Sequence, residues 1–308
     1  MISTIYQILR TIRPRQWLKN LALFAAPVFG GLLFDPTVFK TEVIAFIAFG
    51  VAVSGTYTFN DIMDAEKDKE HPVKKNRPIA SGKLSKNLAK VLVPIFYIVG
   101  LFIAFRYVGE YFGTAVLAYI LVQLSYSLFF RNVIILDALI VSVGFIIRVF
   151  AGGFAAEVSI SSWLVLTTIG LSLLLSFGKR RSEKTILEEY KKEGTRDTLR
   201  HYPDSLLDSM ISMSASLCIL AYSLFAFQTS PIKKVDSISS FLPSILKTPK
   251  WMMLTIPIVI YGVARYLYII YEKKEGESPA RVLLSDKPIL ATVMLWGLSI
   301  LYIVYFSA

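Results

Sequence analysis

The sequence predicts an all-α protein folded as a bundle of about nine membrane-spanning helices. The chain has 308 residues, of which 55% are hydrophobic and 18% are charged, and its mean hydropathy is +0.57. Soluble domains contain about 25% charged residues, so this composition indicates the lipid bilayer and excludes a disordered chain. Lys and Arg number 33 against 22 Asp and Glu, which gives a net charge of +11.

The chain contains too few cysteines and histidines for an internal disulfide or a structural zinc site. Cys218 is the one cysteine of the chain, so no disulfide can form within it. A structural zinc site needs four Cys or His ligands, and two histidines with one cysteine cannot supply them.

The predicted elements follow the chain in order. Residues 1–20 contain Arg10, Arg13 and Arg15 but no signal-peptide core, which predicts an amphipathic helix at the membrane interface. Apolar runs then predict the spans at 21–33, 43–60, 88–106, 113–130, 133–152, 162–178, 210–227, 251–271 and 289–306. The first run is short and contains Pro27 and Gly30, so a total of eight spans is left open.

The basic residues sort by side of the membrane. With nine spans, successive loops alternate between the two faces, and most Lys and Arg residues fall on the face that holds the N-terminus. The positive-inside rule predicts that this face is cytoplasmic. Because these residues flank apolar helices, we expect the membrane as their partner and exclude nucleic acid.

The second span runs into the segment TYTFNDIMDAEKDKE, which ends in acidic residues. We expect its helix to continue up to Pro72. Asn60, Asp64 and Asp68 then share one face, and Asp61 lies one position round it. Such oxygen ligands suit a Mg²⁺ ion whose coordination is completed by substrate phosphates. Pairing of the carboxylates with nearby lysines is the structural alternative, and clustering at the end of a span favours the metal.

Basic side chains follow the acidic motif directly. Lys74 and Arg77 lie where Pro and Gly predict a loop, and cations beside a metal are typical of a diphosphate site. Tyr57 falls on the same helical face as Asn60 and is expected to bind a phosphate or hydroxyl, although a tyrosine here also suits an interfacial belt. Residues 60–87 are therefore predicted to form an active-site loop.

The motif NDxxDxxxD at 60–68 resembles the first aspartate-rich motif of the UbiA-type intramembrane prenyltransferase superfamily. Where that superfamily has a second aspartate-rich motif, this chain has the basic run Lys179-Arg180-Arg181. With RPRQWLKN at 13–20, HPVKKNRPIASG at 71–82 and GFIIRVFAGG at 144–153, this run resembles the decaprenyl-phosphate phosphoribosyltransferase branch. The resemblance implies one UbiA-type domain over 1–308, with a cavity open to the cytoplasm, in the plasma membrane of a bacterium or archaeon.

The resemblance also implies a reaction. A Mg²⁺-dependent enzyme would transfer 5-phosphoribosyl from phosphoribosyl pyrophosphate to a polyprenyl phosphate, release pyrophosphate and make a precursor of cell-envelope arabinose. This donor and acceptor carry more phosphate groups than a prenyl diphosphate, and the basic run supplies cations for them. The lipid phosphate is already an anionic nucleophile, so no strong general base is required.

The expected site residues fall into three sets. The expected metal ligands are Asn60, Asp61, Asp64 and Asp68, of which Asp61 and Asp64 are also the expected catalytic residues. The expected donor-binding residues are Lys19, Tyr57, Lys74, Arg77, Lys179 and Arg180. The residues expected at the lipid phosphate are Tyr126, Arg131, Arg148 and Glu183. Residues 179–208 are predicted to form a second active-site loop.

Several of these roles have an alternative that the sequence leaves open. Arg148 lies deep in a span and also suits a structural tie between helices. Glu183 also suits an i,i+4 pair with Lys179, and Tyr126 also suits packing. The division of the cations between the ribose 5-phosphate and the lipid phosphate is not determined.

Two other functions compete with phosphoribosyl transfer. A prenyltransferase that moves a prenyl group from a prenyl diphosphate to an aromatic or other acceptor is the first, and the missing second acidic motif disfavours it. A transporter is the second, and it is disfavoured because the halves show no inverted repeat and the polar residues collect at one end of the spans.

Overall fold

A computed structural model describes residues 2–70, 74–189, 202–230, 250–273 and 279–306. Its regular structure over those ranges is helical. The α-helices are α1 (Ile2–Ile12), α2 (Ala25–Phe29), α3 (Pro36–Glu70), α4 (Lys86–Ile103), α5 (Glu110–Leu128), α6 (Leu136–Ala156), α7 (Ser162–Glu189), α8 (Asp204–Thr229), α9 (Ile256–Tyr268), α10 (Pro279–Ser285) and α11 (Lys287–Tyr305). Turns of 3₁₀ helix occur at Pro14–Phe24, Lys74–Asn76, Phe130–Asn132 and Trp251–Thr255, and π-helical turns extend α4 over Ala104–Val108 and α9 over Ile269–Lys273.

The predicted all-α membrane bundle is confirmed. Within the described ranges, eight helices are long and apolar enough to cross a membrane. They correspond to the second to ninth predicted spans. The chain is therefore an integral membrane protein.

The first predicted span takes a different form. The 3₁₀ helix Pro14–Phe24 and the short helix α2 occupy its place, and Gly31 ends that stretch with φ 72°. From Arg13 to Phe24, successive residues contact positions of α3 that lie progressively closer to the start of that helix. Arg13 contacts Asp61, Trp17 contacts Ser54, and Phe24 contacts Phe46. Its 11 residues cover about 22 Å at 2.0 Å per residue, which matches the stretch of α3 that it contacts. The segment therefore runs antiparallel to α3.

Helix α1 is shorter than the predicted interfacial segment 1–20. It ends at Ile12, and the chain then turns at Arg13, whose backbone is left-handed with φ 53°. Ile5 and Leu9 are exposed although apolar, as expected of a helix that rests on a lipid surface. Residues 14–20 instead belong to the 3₁₀ helix.

Contacts within the chain form two units, which are described separately. The first contains residues 2–27, 33–158 and 202 of the described ranges, and its core includes Leu23, Phe49 and Phe112. The second contains residues 28–32, 159–189 and 203–306 of those ranges. There α7 packs on α8 so closely that a Cβ at Gly170 would lie 2.6 Å from a backbone nitrogen of α8. The single domain 1–308 stays a prediction.

Gly152 sets the distance between α6 and the 3₁₀ helix. A Cβ at this position would lie 1.8 Å from the carbonyl oxygen of Leu23, so only glycine allows the two backbones to approach this closely. The contact presses Pro14–Phe24 against α6, and it brings residues 19 and 20 next to the middle of that helix.

Candidate active site

The acidic motif lies on the last three turns of α3, which continues as helix to Glu70 as expected. Asp61 and Asp68 are 2% and 4% exposed, although both are carboxylates at the end of a membrane span. Burial of a carboxylate requires compensation by hydrogen bonds or opposite charge. Two arginines from other parts of the first unit provide that compensation, and a third pairs with Asp64.

Arg77 joins two of the carboxylates. Its Nη1 donates to Asp61 Oδ1 at 3.1 Å and to Asp68 Oδ2 at 2.6 Å. The 3₁₀ turn Lys74–Asn76 places it there, because the backbone N–H of Arg77 donates to the carbonyl of Lys74 at 2.9 Å. Arg77 therefore links Asp61 to Asp68 across two helical turns, whereas the sequence analysis stacked Asp68 with Asn60 and Asp64 and placed Asp61 one position round that face.

Arg13 is a site residue that the sequence reasoning missed. Its guanidinium forms an ion pair with Asp61 Oδ1, and it stands 5.3 Å above the centre of the Tyr57 ring. Its left-handed backbone, directly before Pro14, is uncommon for a residue other than glycine. Such strain clusters at functional sites. A signal was present in the sequence, since Arg13 opens the segment RPRQWLKN.

Asn60 and Asp64, the other two members of the motif, are held by α5 and the turn after it. Arg131 Nη2 donates to Asp64 Oδ1 at 2.5 Å, and the Ser127 hydroxyl donates to Asn60 Oδ1 at 2.5 Å. Tyr126 is buried next to Ser127 on α5. Arg131 was expected to bind phosphate, and Ser127 was not foreseen.

A strained turn positions Arg131. Ile135 has φ 69°, a left-handed value that β-branched residues rarely adopt. The Tyr202 hydroxyl accepts a hydrogen bond from the Ile135 N–H at 2.6 Å and donates to Asp137 Oδ1 at 2.6 Å. Tyr202 therefore holds together the turn that follows Arg131.

The donor set of the motif suits a divalent cation, although the arginines engage it now. Among the described residues no three His, Cys, Asp or Glu side chains stand together as a ready metal site. Asp61, Asp64 and Asp68 each face a guanidinium. Asp61 Oδ2, however, is buried without a hydrogen-bond partner in the described structure. That unsatisfied oxygen, in an all-oxygen set, fits a hard cation such as Mg²⁺.

A second polar cluster lies further inside the first unit. Arg148 donates from Nε to Asn20 Oδ1 at 2.9 Å, from Nη1 to the Gly144 carbonyl at 2.7 Å, and from Nη2 to the Tyr119 hydroxyl at 3.0 Å. Burial of the surroundings and the charges of Arg148 and then Arg13 lower the pKa of Lys19 from 10.5 to about 8. Lys19 and Arg148, predicted for different substrates, thus share one neighbourhood.

The basic run of the second unit makes local ion pairs. Glu183 forms ion pairs with Lys179 at 3.6 Å and with Arg180 at 3.5 Å, as its structural alternative required. Arg181 and Lys184 bind Asp208 and Asp204 at the start of α8, at 3.0 and 2.7 Å. Residues 190–201 of the predicted loop 179–208, and residues 71–73 of the loop 60–87, lie outside the described residues.

Three comparisons with known proteins agree. A family model described as the UbiA prenyltransferase family matches residues 23–285. Decaprenyl-phosphate phosphoribosyltransferase of Mycolicibacterium smegmatis is 31% identical to this chain over 304 residues, which cover 97% of this chain and 93% of that protein. The protein of the same name from Corynebacterium glutamicum is 30% identical, over 97% of this chain and 86% of its own length.

A solved structure gives the same result for the fold. The structure of a UbiA homolog from Archaeoglobus fulgidus bound to GPP and Mg²⁺ superposes with a TM-score of 0.68. The match covers 96% of this chain and 99% of that one at 17% sequence identity. At that identity the likeness concerns the fold alone.

Proposed function

The chain belongs to the UbiA prenyltransferase family and is a transferase enzyme, and from this premise we propose that it transfers 5-phosphoribosyl from phosphoribosyl pyrophosphate to a polyprenyl phosphate. Two relatives that carry the name decaprenyl-phosphate phosphoribosyltransferase align with 97% of this chain, which supports the proposal. The observation that carries it furthest is the charge balance at the end of α3. Three arginines stand against three carboxylates there, so the site has partners for both a cation and several phosphates.

The acidic motif is the proposed metal site. Mg²⁺ would be held by oxygens of Asn60, Asp61, Asp64 and Asp68 and would neutralise negative charge on the departing pyrophosphate. The unsatisfied Oδ2 of Asp61 supports this assignment. In this role Asp61 and Asp64 are the residues closest to the chemistry.

The arginines are the proposed ligands of the donor's diphosphate. When a cation neutralises the carboxylates, Arg13 and Arg77 no longer have to pair with them. Their guanidinium groups then suit phosphate oxygens, which they can bind through two parallel hydrogen bonds. The site stays close to neutral in both states, because positive and negative charges enter together. Lys74, which acts electrostatically on Asp68, would add a further cation for the donor.

The reaction itself requires little from the protein beyond position and charge. A phosphate oxygen of the lipid forms a bond to ribose C1 while the bond from C1 to the pyrophosphate oxygen breaks, and the pyrophosphate leaves with the electron pair. Because the nucleophile is already an anion, no proton has to be removed. Side chains that fix the two phosphate groups in line therefore account for most of the catalysis.

The basic run of α7 is proposed to bind phosphate on chemical grounds. Lys179 and Arg180 stand where the wider superfamily has acids, and Arg180 is 3% exposed with Glu183 beside it. We further propose that the acidic end of α3 and the N-terminus face the cytoplasm of a bacterial or archaeal plasma membrane. Most basic residues lie on that side, in agreement with the positive-inside rule.

A choice between donors tests the proposal. Purified protein in detergent, with Mg²⁺, is given labelled phosphoribosyl pyrophosphate with decaprenyl phosphate or, in parallel, labelled geranyl diphosphate with an aromatic acceptor. We expect label to enter the organic product only from the first donor. Transfer from geranyl diphosphate without transfer from phosphoribosyl pyrophosphate would replace the proposal by the prenyltransferase alternative.

A further inference from the structure

The interior of the first unit contains a buried guanidinium with neutral partners. Arg148 is 3% exposed, and it contacts an amide, a carbonyl and a hydroxyl. The rings of Phe49, Tyr119 and Phe145 lie 4.6–5.4 Å from its guanidinium carbon. In the part of the chain that the structure describes, no carboxylate lies within ion-pair distance of it. An arginine inside a membrane protein normally has an anionic partner, so a counter-charge is missing.

A second positive side chain nearby increases the amount of negative charge that is missing. Lys19 lies within electrostatic range of Arg148 and Arg13, and it is only partly exposed. Two like charges that are brought together away from bulk water repel each other. An anion that binds between them removes the repulsion.

Asn20 provides an independent sign of a ligand. It is 0% exposed, and its Nδ2 has no hydrogen-bond acceptor in the described structure. Its Oδ1 already accepts from Arg148, so the amide nitrogen is the group left to donate. An unsatisfied buried donor is costly, about 1–3 kcal/mol, unless an acceptor occupies the place beside it. A phosphate oxygen beside Lys19 and Arg148 is such an acceptor.

We infer that Arg148, Asn20 and Lys19 form the subsite for the phosphate of the lipid acceptor. The inference rests on the proposed function and assigns to one cluster two cations that the sequence divided between two substrates. The Tyr119 hydroxyl positions the guanidinium, and it is not itself required to touch the phosphate.

The position of this cluster favours the lipid phosphate over the ribose 5-phosphate as its ligand. Tyr57, one turn before Asp61 on α3, lies within electrostatic range of both Arg13 and Arg148. The cluster therefore adjoins the carboxylates on their membrane-interior side. In an in-line displacement the nucleophile approaches C1 opposite the leaving pyrophosphate, which places it on that interior side. An isoprenoid chain also has to remain in apolar surroundings, which the interior offers.

Ligand-induced thermal stabilisation tests the subsite without any transfer reaction. The probes are farnesyl phosphate, farnesol and ribose 5-phosphate, each added to the full-length protein in detergent. We expect farnesyl phosphate to raise the Tm of the wild-type protein, and farnesol to have no such effect. In Arg148→Gln the shift should be lost, and in Arg106→Gln, a matched change at an exposed arginine, it should be kept.

A second variant keeps the test independent of folding. Asn20→Asp has the same shape and gives Arg148 the carboxylate that it lacks, so the variant should fold with an unchanged or higher Tm. The new carboxylate occupies the counter-charge position, and it should abolish the shift by farnesyl phosphate. In turnover it should raise the KM for decaprenyl phosphate at least tenfold and that for phosphoribosyl pyrophosphate less than twofold. A purely structural cluster would tolerate Asn20→Asp without any change in KM.

The inference would be overturned if farnesyl phosphate did not raise the Tm of the wild-type protein, or if it raised the Tm of Asn20→Asp by the full wild-type amount. It would also be overturned if ribose 5-phosphate raised the Tm of the wild-type protein and the variants lost that effect instead. Failure of the proposed function has a different signature. A wild-type protein that binds farnesyl phosphate through Arg148 but transfers no phosphoribosyl group would retain the subsite and exclude the reaction.

Discussion

Asp61 and Asp68, two turns apart on α3, are joined by a single guanidinium nitrogen of Arg77, at 3.1 and 2.6 Å. This bridge places a positive charge between two buried carboxylates and compensates their mutual repulsion. At the proposed metal site, Mg²⁺ and Arg77 would compete for the same oxygens. The arginine that stabilises the resting site is therefore expected to move to the donor's phosphates when substrate binds.

Arg77→Gln tests that competition. Without the guanidinium, Asp68 loses its arginine partner and Asp61 keeps only Arg13, so the affinity for Mn²⁺, used as a paramagnetic probe without donor, should rise several-fold. The KM for phosphoribosyl pyrophosphate should rise about 10–100-fold, because a charged hydrogen bond of about 1.5–3 kcal/mol is lost. Titration by electron paramagnetic resonance and initial-rate kinetics measure the two effects. Weaker Mn²⁺ binding in the variant would contradict the competition.

Arg13→Gln tests the site residue that sequence reasoning missed. The variant removes one of two guanidinium groups on Asp61, and kcat/KM for the donor should fall about 100-fold. Arg15→Gln is the matched control, because Arg15 is exposed two residues further on. Its kcat/KM should stay within twofold of the wild-type value. Equal losses in both variants would indicate that the N-terminal segment, and not the Asp61 pair, is responsible.

The lowered pKa of Lys19 predicts that binding of the lipid phosphate depends on pH. Its pKa is lowered to about 8, so the proton that attracts the phosphate is lost as pH rises through 8. The facing groups are Arg13 on the same segment, Arg148 on α6, Tyr57 on α3 and Tyr119 on α5. The KM for decaprenyl phosphate should therefore increase between pH 7.5 and 9.5, and in Lys19→Met it should be high throughout that range.

The same shift has a consequence for stability. The native state binds the Lys19 proton less tightly than the unfolded chain does, so the free energy of unfolding without ligand should rise from pH 8 to about 10.5. Below pH 8 the lysine is protonated in both states, and its unfavourable contribution is constant. Lys19→Met should remove this rise, and chemical denaturation at fixed pH values measures it. An identical rise in the variant would assign it to other groups.

Gly152→Ala tests the close contact that holds Lys19 and Asn20 against α6. The added methyl would lie 1.8 Å from the Leu23 carbonyl oxygen, and backbone on both sides cannot move aside as a side chain can. We expect a loss of at least 1–3 kcal/mol, roughly the cost of overpacking a core, and a lower Tm. Gly297→Ala is the control, since a Cβ at Gly297 meets nothing within 4 Å. That variant should be as stable as the wild type or up to about 1 kcal/mol more stable.

The sequence predicted those features that depend on local pattern. Apolar runs located the eight long helices, and the spacing of Asn60, Asp61, Asp64 and Asp68 placed them at the end of α3. The 3₁₀ form of Pro14–Phe24 was not predicted, because hydropathy does not distinguish helix types. That form depends on packing, since Trp17 lies over Gly50 and Leu23 over Gly152.

Partners that are distant in sequence also escaped prediction. Arg148 and Asn20 are 128 positions apart, and Arg13 and Asp61 are 48 apart, so no local spacing could have paired them. Asn60, Asp64 and Asp68 lie on one continuous helix, as expected, but their spacing did not show which arginines pair with the motif. Which carboxylates act together is decided by the arginines that reach them from other elements, and Arg77 couples Asp68 to Asp61.

A doubly labelled donor tests the central claim most directly. Phosphoribosyl pyrophosphate with ¹⁴C in the ribose and ³²P in the terminal phosphate of the diphosphate is incubated with the purified protein, Mg²⁺ and decaprenyl phosphate. Phosphoribosyl transfer predicts that ¹⁴C enters the organic phase while an equal amount of ³²P stays in water as pyrophosphate. Entry of both labels into the lipid would contradict phosphoribosyl transfer. So would the entry of neither label, if the same folded protein transfers geranyl groups from geranyl diphosphate.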